Sequence, residues 1–155
     1  MIPPVVIGFG NTLRRDDGAG VRAAERVAEE VGGVDVFVVH ALTPELALSL
    51  SGRDLVVFVD ASLRTARLTV RPVKGAAVTR HPDHALLPED IVSLCGGLFP
   101  PAPRSVFSVE VPAFDCAFGD TMTPAAAGMV DQCVRLIRDI LAGTPRADFP
   151  ELFPN

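Results

Sequence analysis

The chain contains neither tryptophan nor tyrosine in 155 residues. A core without those two side chains must be closed by aliphatic groups, with nine phenylalanines adding the remaining bulk. Runs of lysine and arginine are also missing. The formal net charge is -5, so nothing supports a nucleic-acid partner. Cysteine is scarce and unpaired in pattern: Cys95, Cys116 and Cys133 lie far apart, and no C-x-x-C occurs. That excludes a zinc ribbon and a disulfide framework, and leaves the three as small apolar core residues. No apolar run approaches the length of a membrane span. The amino terminus enters a strand at once, with no charged region and cleavage site before it, so a soluble cytoplasmic protein is expected.

Apolar residues are plentiful, at 48% of the chain, which suits a well-buried α/β protein rather than a disordered one. The length is that of one domain with a substantial core. Residues 1–142 are expected to form a single α/β domain. Residues 143–155, rich in proline and polar groups, read as a loosely held tail.

Pro4 to Gly8 is a continuous apolar strand, as expected at the centre of a parallel sheet buried on both faces. A helix follows from Asp16 or Asp17, with Val21, Ala24, Val27, Ala28 and Val31 at helical spacing and Gly32-Gly33 as its stop. Val34 to Val39 is a second strand ending at His40. Thr43-Pro44-Glu45 reads as an N-cap with proline at the first helical position, ahead of a short helix carrying Leu46 and Leu50. Leu55 to Val59 is a third strand that delivers Asp60 at its carboxyl end. These elements make a βαβαβ unit and imply a parallel sheet with right-handed crossovers.

Arg67 to Val73 reads as a further strand at an edge. His81-Pro82-Asp83-His84 lies in a polar turn, before a short helix from Pro88 to Leu94. Cys95 to Arg104, with Gly96-Gly97 and three prolines, reads as a loop. Ser105 to Val111 alternates as a strand does. Thr123-Pro124 opens the last helix, with Met129, Val130, Cys133, Ile137 and Ile140 or Leu141 on one face.

The loop after the first strand is the most informative segment. Gly8-Phe9-Gly10 begins like a dinucleotide fingerprint, but the third glycine is replaced by Leu13. Two carboxylates, Asp16 and Asp17, stand where a pyrophosphate would meet a helix N-terminus. They repel an anion and attract a cation or a proton donor. In an open parallel sheet, ligands collect beyond the carboxyl ends of the strands. There this reading gathers Asp16 and Asp17, Asp60, and the histidines His81 and His84. Two carboxylates and an imidazole suit a divalent transition metal better than calcium, and equally suit acid/base work. Each residue has a structural alternative. The aspartates commonly cap a helix, Asp60 could hold a turn, and His40 could be a strand-end residue.

The segment GFGNTLRRDDGAGVR resembles the amino-terminal motif of the hydrogenase maturation proteases. Phe58 to Ala61 is similar to that family's strand-end aspartate motif, His84-Ala85-Leu86 to its H-x-L segment, and Met122-Thr123-Pro124 to the start of its last helix. The resemblance implies a three-layer αβα sandwich around a twisted, mainly parallel sheet. It implies an endopeptidase that removes a carboxyl-terminal peptide from the nickel-loaded large-subunit precursor of a nickel–iron hydrogenase. It implies Asp17, Asp60 and His84 as metal-contacting residues, with Asp17 or Asp60 activating water. The metal would be nickel supplied by the precursor, or another divalent ion such as cadmium or zinc in the isolated protein. The protein would be a monomer or weak dimer.

The chain departs from the family at Asp17, where several members carry glutamate, and at Val36 to Glu45, where many carry a glycine-rich turn. His40 stands in that replaced turn, and His40 or His81 is an alternative to His84. Two other functions remain open: a non-cleaving metal-binding or chaperone-like protein for the precursor, and a small-ligand-binding α/β domain using Gly8 and Gly10.

Overall fold

The structure, a computed structural model, describes residues 2–75 and 85–143. Five strands, β1 (Val5–Phe9), β2 (Asp35–Val39), β3 (Leu55–Ser62), β4 (Thr69–Pro72) and β5 (Ser105–Pro112), form one sheet in the order β2-β1-β3-β5-β4. All neighbours are parallel except β4, which runs antiparallel to β5 at the edge. The helices are α1 (Ala19–Glu30), α2 (Leu46–Leu50), α3 (Pro88–Leu98) and α4 (Pro124–Leu141), with a 3-10 turn at Arg15–Gly18.

Side chains alternate across a strand, so a central strand with layers on both sides must be apolar throughout. Val6, Val57, Val59, Val109 and Val111 pack with Ala23, Val27, Val130 and Ile137 of α1 and α4. On the opposite face Val5, Ile7, Val56, Phe58 and Val106 pack with Leu46, Leu50, Ile91 and Cys95 of α2 and α3. The result is the expected three-layer αβα sandwich. The absence of tryptophan is met by valine, which shapes well to a pleated surface covered on both sides.

Some local expectations are corrected. α3 does not stop at Leu94 but continues through Cys95, Gly96 and Gly97 to Leu98. Cys95 is fully buried against the core, and packing carries the helix past two glycines that disfavour it by propensity. Thr43 does not cap α2: the Thr43 and Pro44 carbonyls accept turn bonds from Leu46 and Ala47, and the helix starts only at Leu46. Thr123 does cap α4, its side chain accepting the Ala126 N–H at 3.2 Å.

The antiparallel run of β4 matters for the histidines. Thr69 pairs with Glu110 and Pro72 with Phe107, so the chain leaves β4 at the end of the sheet away from Asp60. The end of β4 thus lies at the edge of the sheet opposite Asp60. His81 and His84 themselves, like the tail from residue 144, lie outside the described residues. Among the described residues no helix is long and apolar enough to cross a membrane.

One close approach sets the position of the site. A Cβ on Gly20 would collide with the Val59 carbonyl and lie 2.9 Å from the Asp60 Cα. Only glycine lets the first turn of α1 sit this tightly on β3. Gly20→Ala is expected to destabilise the protein by about 1–3 kcal/mol by forcing α1 off the sheet. A thermal melt would check this; an unchanged melting temperature would mean the helix moves freely.

Candidate functional site at the carboxyl edge of the sheet

From β1 the chain turns to β2 on one side and later returns to β3 on the other, so a topological switch point lies between β1 and β3. The loop leaving β1 and the carboxyl end of β3 meet there. Gly10 adopts φ +143°, and a Cβ on it would collide with the Asp17 carbonyl oxygen. The loop thus folds back tightly on the acidic turn. The Asp17 carboxylate accepts the Asn11 N–H at 2.9 Å, and the Asn11 side chain accepts the Leu13 N–H at 2.9 Å.

Those bonds weigh against a nucleotide. Backbone N–H groups that would cradle a phosphate are already occupied: Gly10 donates to the Val39 carbonyl at 3.2 Å and Asn11 to Asp17.

The adjacent aspartates are separated completely by the fold. Asp16 is fully buried. Its carboxylate accepts the backbone N–H groups of Phe114, Asp115 and Thr123 and the Thr123 hydroxyl, at 2.8–3.0 Å. Four bonds use the acceptor capacity of a carboxylate. Burial alone would raise its pKa, but these donors outweigh burial and hold it below the ordinary value. Asp16 does not cap its own helix. It clamps the β5–α4 loop and lies at the N-terminus of α4, where a negative charge is favourable.

Asp17 instead lines an open cavity of about 320 Å3, together with Arg14, Ala61, Leu63, Ala113 and Cys116. Asp60, immediately before Ala61, is half-buried at the end of β3. Its pKa is pushed up to about 7, chiefly by burial and further by the charges of Asp17 and Glu110, while the Ala61 N–H pulls it down. Asp17 and Ala61, the residue after Asp60, thus line the same cavity, and the charge of Asp17 is felt at Asp60.

Glu110 was not anticipated. It pairs in register with Asp60 across β3 and β5, and Arg71 approaches its carboxylate at 4.0 Å. Only the pairing of β3 with β5, not the alternation of either strand, brings Glu110 beside Asp60. Cys116 was expected in the core but is half-buried on the cavity wall. Burial and the neighbouring charges of Asp17, Asp16 and Asp115 push its thiol pKa up, so it stays protonated and is a poor nucleophile. His40 is exposed at the end of the edge strand β2 and does not line this cavity.

Among the described residues no group of three or more histidine, cysteine, aspartate and glutamate side chains is arranged to hold a metal ion. Asp17 and Asp60 are oxygen donors with no ion-pair partner among those residues. A cation would need further donors from elsewhere to be held firmly.

A doubly covered, mainly parallel sheet with two carboxylates near its switch point is the architecture of an open α/β domain, in which ligands generally collect at the carboxyl edge. Solved structures with this fold include the hydrogenase maturating endopeptidase HybD from E. coli, at a TM-score of 0.75 and 19% identity, covering 94% of this chain and 99% of that one. The [NiFe] hydrogenase maturation protease HybD from Thermococcus kodakarensis is similar with a TM-score of 0.67 and 20% identity, over 90% and 99% of the two chains. The [NiFe] hydrogenase maturation protease HycI from Thermococcus kodakarensis KOD1 gives 0.64 and 22%, over 91% and 93%. No family model and no curated protein matches the sequence. The chain shares the fold of these proteins along nearly its whole described length.

Proposed function

We propose that this chain is a cytoplasmic endopeptidase that removes a carboxyl-terminal peptide from the nickel-loaded large-subunit precursor of a nickel–iron hydrogenase. The observation that carries this reading is the placing of Asp17 and Asp60 beside one cavity, neither in an ion pair among the described residues, at the open carboxyl edge of a fold shared with the endopeptidases above. Nickel is part of the substrate. It arrives with its own ligands, which supports recognition by two carboxylates too sparse to hold a metal alone. His84, outside the described residues, is the proposed third contact.

The chemistry follows from the Asp60 environment. In the free protein a group with a pKa of about 7 is partly protonated at neutral pH. The approach of a divalent cation lowers that pKa and ionises the carboxylate. One oxygen then faces the cation while the other takes a proton from water. The resulting hydroxide attacks the scissile carbonyl, the C–N bond breaks, and the same proton passes to the departing amine. Asp17, held by the Asn11 N–H, fixes the position of the nickel-bound segment. The raised thiol pKa of Cys116 supports this route over a covalent one.

The test is processing of the nickel-loaded precursor, with loss of the peptide read by mass spectrometry. Nickel-dependent cleavage is expected for the wild type, and its loss in Asp17→Asn, Asp60→Asn and His84→Ala. Nickel-dependent complex formation without cleavage would replace this reading by that of a binding protein.

A further inference from the structure

We propose that Leu13, Leu63, Phe114 and Phe118 form an apolar docking rim that holds an extended, apolar segment of the precursor beside the scissile bond, with Arg14 receiving a main-chain carbonyl of that segment. The proposal rests on the endopeptidase reading above and adds which feature of the substrate is recognised apart from its metal.

Scattered exposed apolar side chains are ordinary on a protein surface. These four are not scattered. Leu13 is 65% exposed, Leu63 67%, Phe114 49% and Phe118 82%. They sit on the loops leaving β1, β3 and β5, all at the carboxyl edge. Leu63 lines the cavity, Leu13 adjoins the lining residue Arg14, and Phe114 follows the lining residue Ala113. Phe118 is reached by Arg14 itself, whose guanidinium lies 4.8 Å from the ring centroid.

The rim is held in shape by bonds that do not bury it. Gly119 donates to the Leu13 carbonyl and Arg15 to the Gly119 carbonyl, both at 2.9 Å, tying the first loop to the third. The Arg14 Nε donates to the Cys116 carbonyl at 3.1 Å. Asp16 fixes Phe114 and Asp115 from below, and Arg15 pairs with Asp115. A large aromatic ring on a fixed backbone, turned to solvent, adds little to folding. It lowers the ordering cost of binding a partner.

Continuity selects the occupant. Arg14 and Leu63 line the cavity beside Asp17, and Arg14 in turn touches the Phe118 ring, so a chain lying in the cavity passes directly onto the rim. Among the described residues the Arg14 terminal nitrogens have no hydrogen-bond partner, which leaves donors for a carbonyl in the cavity that Asp17 also lines.

The experiment compares wild type, Phe118→Ser, Leu63→Ser, the double variant and Phe118→Leu, using the nickel-loaded precursor. Steady-state processing and direct binding of the precursor are both measured. The serine variants are expected to raise KM and Kd about tenfold or more with kcat within about twofold, while Phe118→Leu stays near wild type. Their melting temperatures should be unchanged, since both side chains are exposed. Unaltered KM and Kd would overturn the rim. Self-association that the serine variants abolish, with precursor binding intact, would also overturn it and assign the surface to a second copy of the chain. Rim-dependent binding by a wild type that does not cleave would overturn the endopeptidase reading and leave the docking surface standing. A wild type that neither binds nor cuts the precursor would overturn both.

Discussion

Asp16→Ala is expected to lower the unfolding free energy by about 3–5 kcal/mol, because it leaves three buried backbone N–H groups and a hydroxyl without their acceptor. For a domain of this size that corresponds to a fall of roughly 10 °C in melting temperature. Asp16→Asn should be little better, since its amide nitrogen would face donors. The folded-state pKa of Asp16 lies below the ordinary value of 3.8. Its contribution is therefore present above the unfolded pKa and lost as pH falls through the folded one. The gap between wild type and variant should narrow in acid below that range. A gap that is small at pH 7, or one that widens in acid, would show that Asp16 is not the clamp of the β5–α4 loop.

Asp60→Asn is expected to reduce the rate of processing by about 10²–10⁴-fold while making the free protein more stable at alkaline pH. The sign follows from a folded pKa of about 7 against an ordinary value of 3.8. A carboxyl that is harder to ionise when folded contributes stability fully below the unfolded pKa. That contribution declines as pH rises and is gone above about 7. At pH 8 wild type carries a buried charge beside Asp17 and Glu110, whereas the amide does not. Thermal melts at pH 4 and pH 8 should show the variant gaining on wild type only at the higher value. For wild type, kcat/KM of the proposed processing should rise through about pH 7, the limb of the free protein. The corresponding limb of kcat should lie lower, because the cation in the complex favours the ionised carboxylate. Coincident limbs would remove the proposed arming of Asp60 by the substrate's metal.

The two aspartates illustrate what was legible and what was not. Their place after an apolar strand and a G-x-G turn marks them as acids at the functional edge of a parallel sheet. Nothing in the pair itself says that one is fully buried and saturated by donors about a hundred residues away while the other lines the cavity. The neighbouring side chains diverge along the 3-10 turn: one bonds Thr123 at the start of α4, the other bonds the Asn11 N–H and lines the cavity. Cys116 and Arg14 were missed as cavity residues for a similar reason. Their positions depend on the loop after β5 being tied to the loop after β1 by the Leu13–Gly119 and Arg15–Gly119 bonds. Glu110 needed the β3–β5 register, which the alternation of either strand alone does not contain.

By itself the sequence determined the elements and their layering. Continuous apolar strands require cover on both faces, alternating helical stretches impose parallel crossovers, and Thr123-Pro124 starts α4 through local capping chemistry. Those are short-range effects, readable from neighbours in the chain. Tertiary structure decided the direction of β4, the extension of α3 past Gly96-Gly97, and which acid faces the cavity. Each depends on partners distant in sequence. There packing and hydrogen bonding between loops outweigh local propensity, and the raised pKa of Asp60 exists only because β3, β5 and the acidic turn come together at one edge.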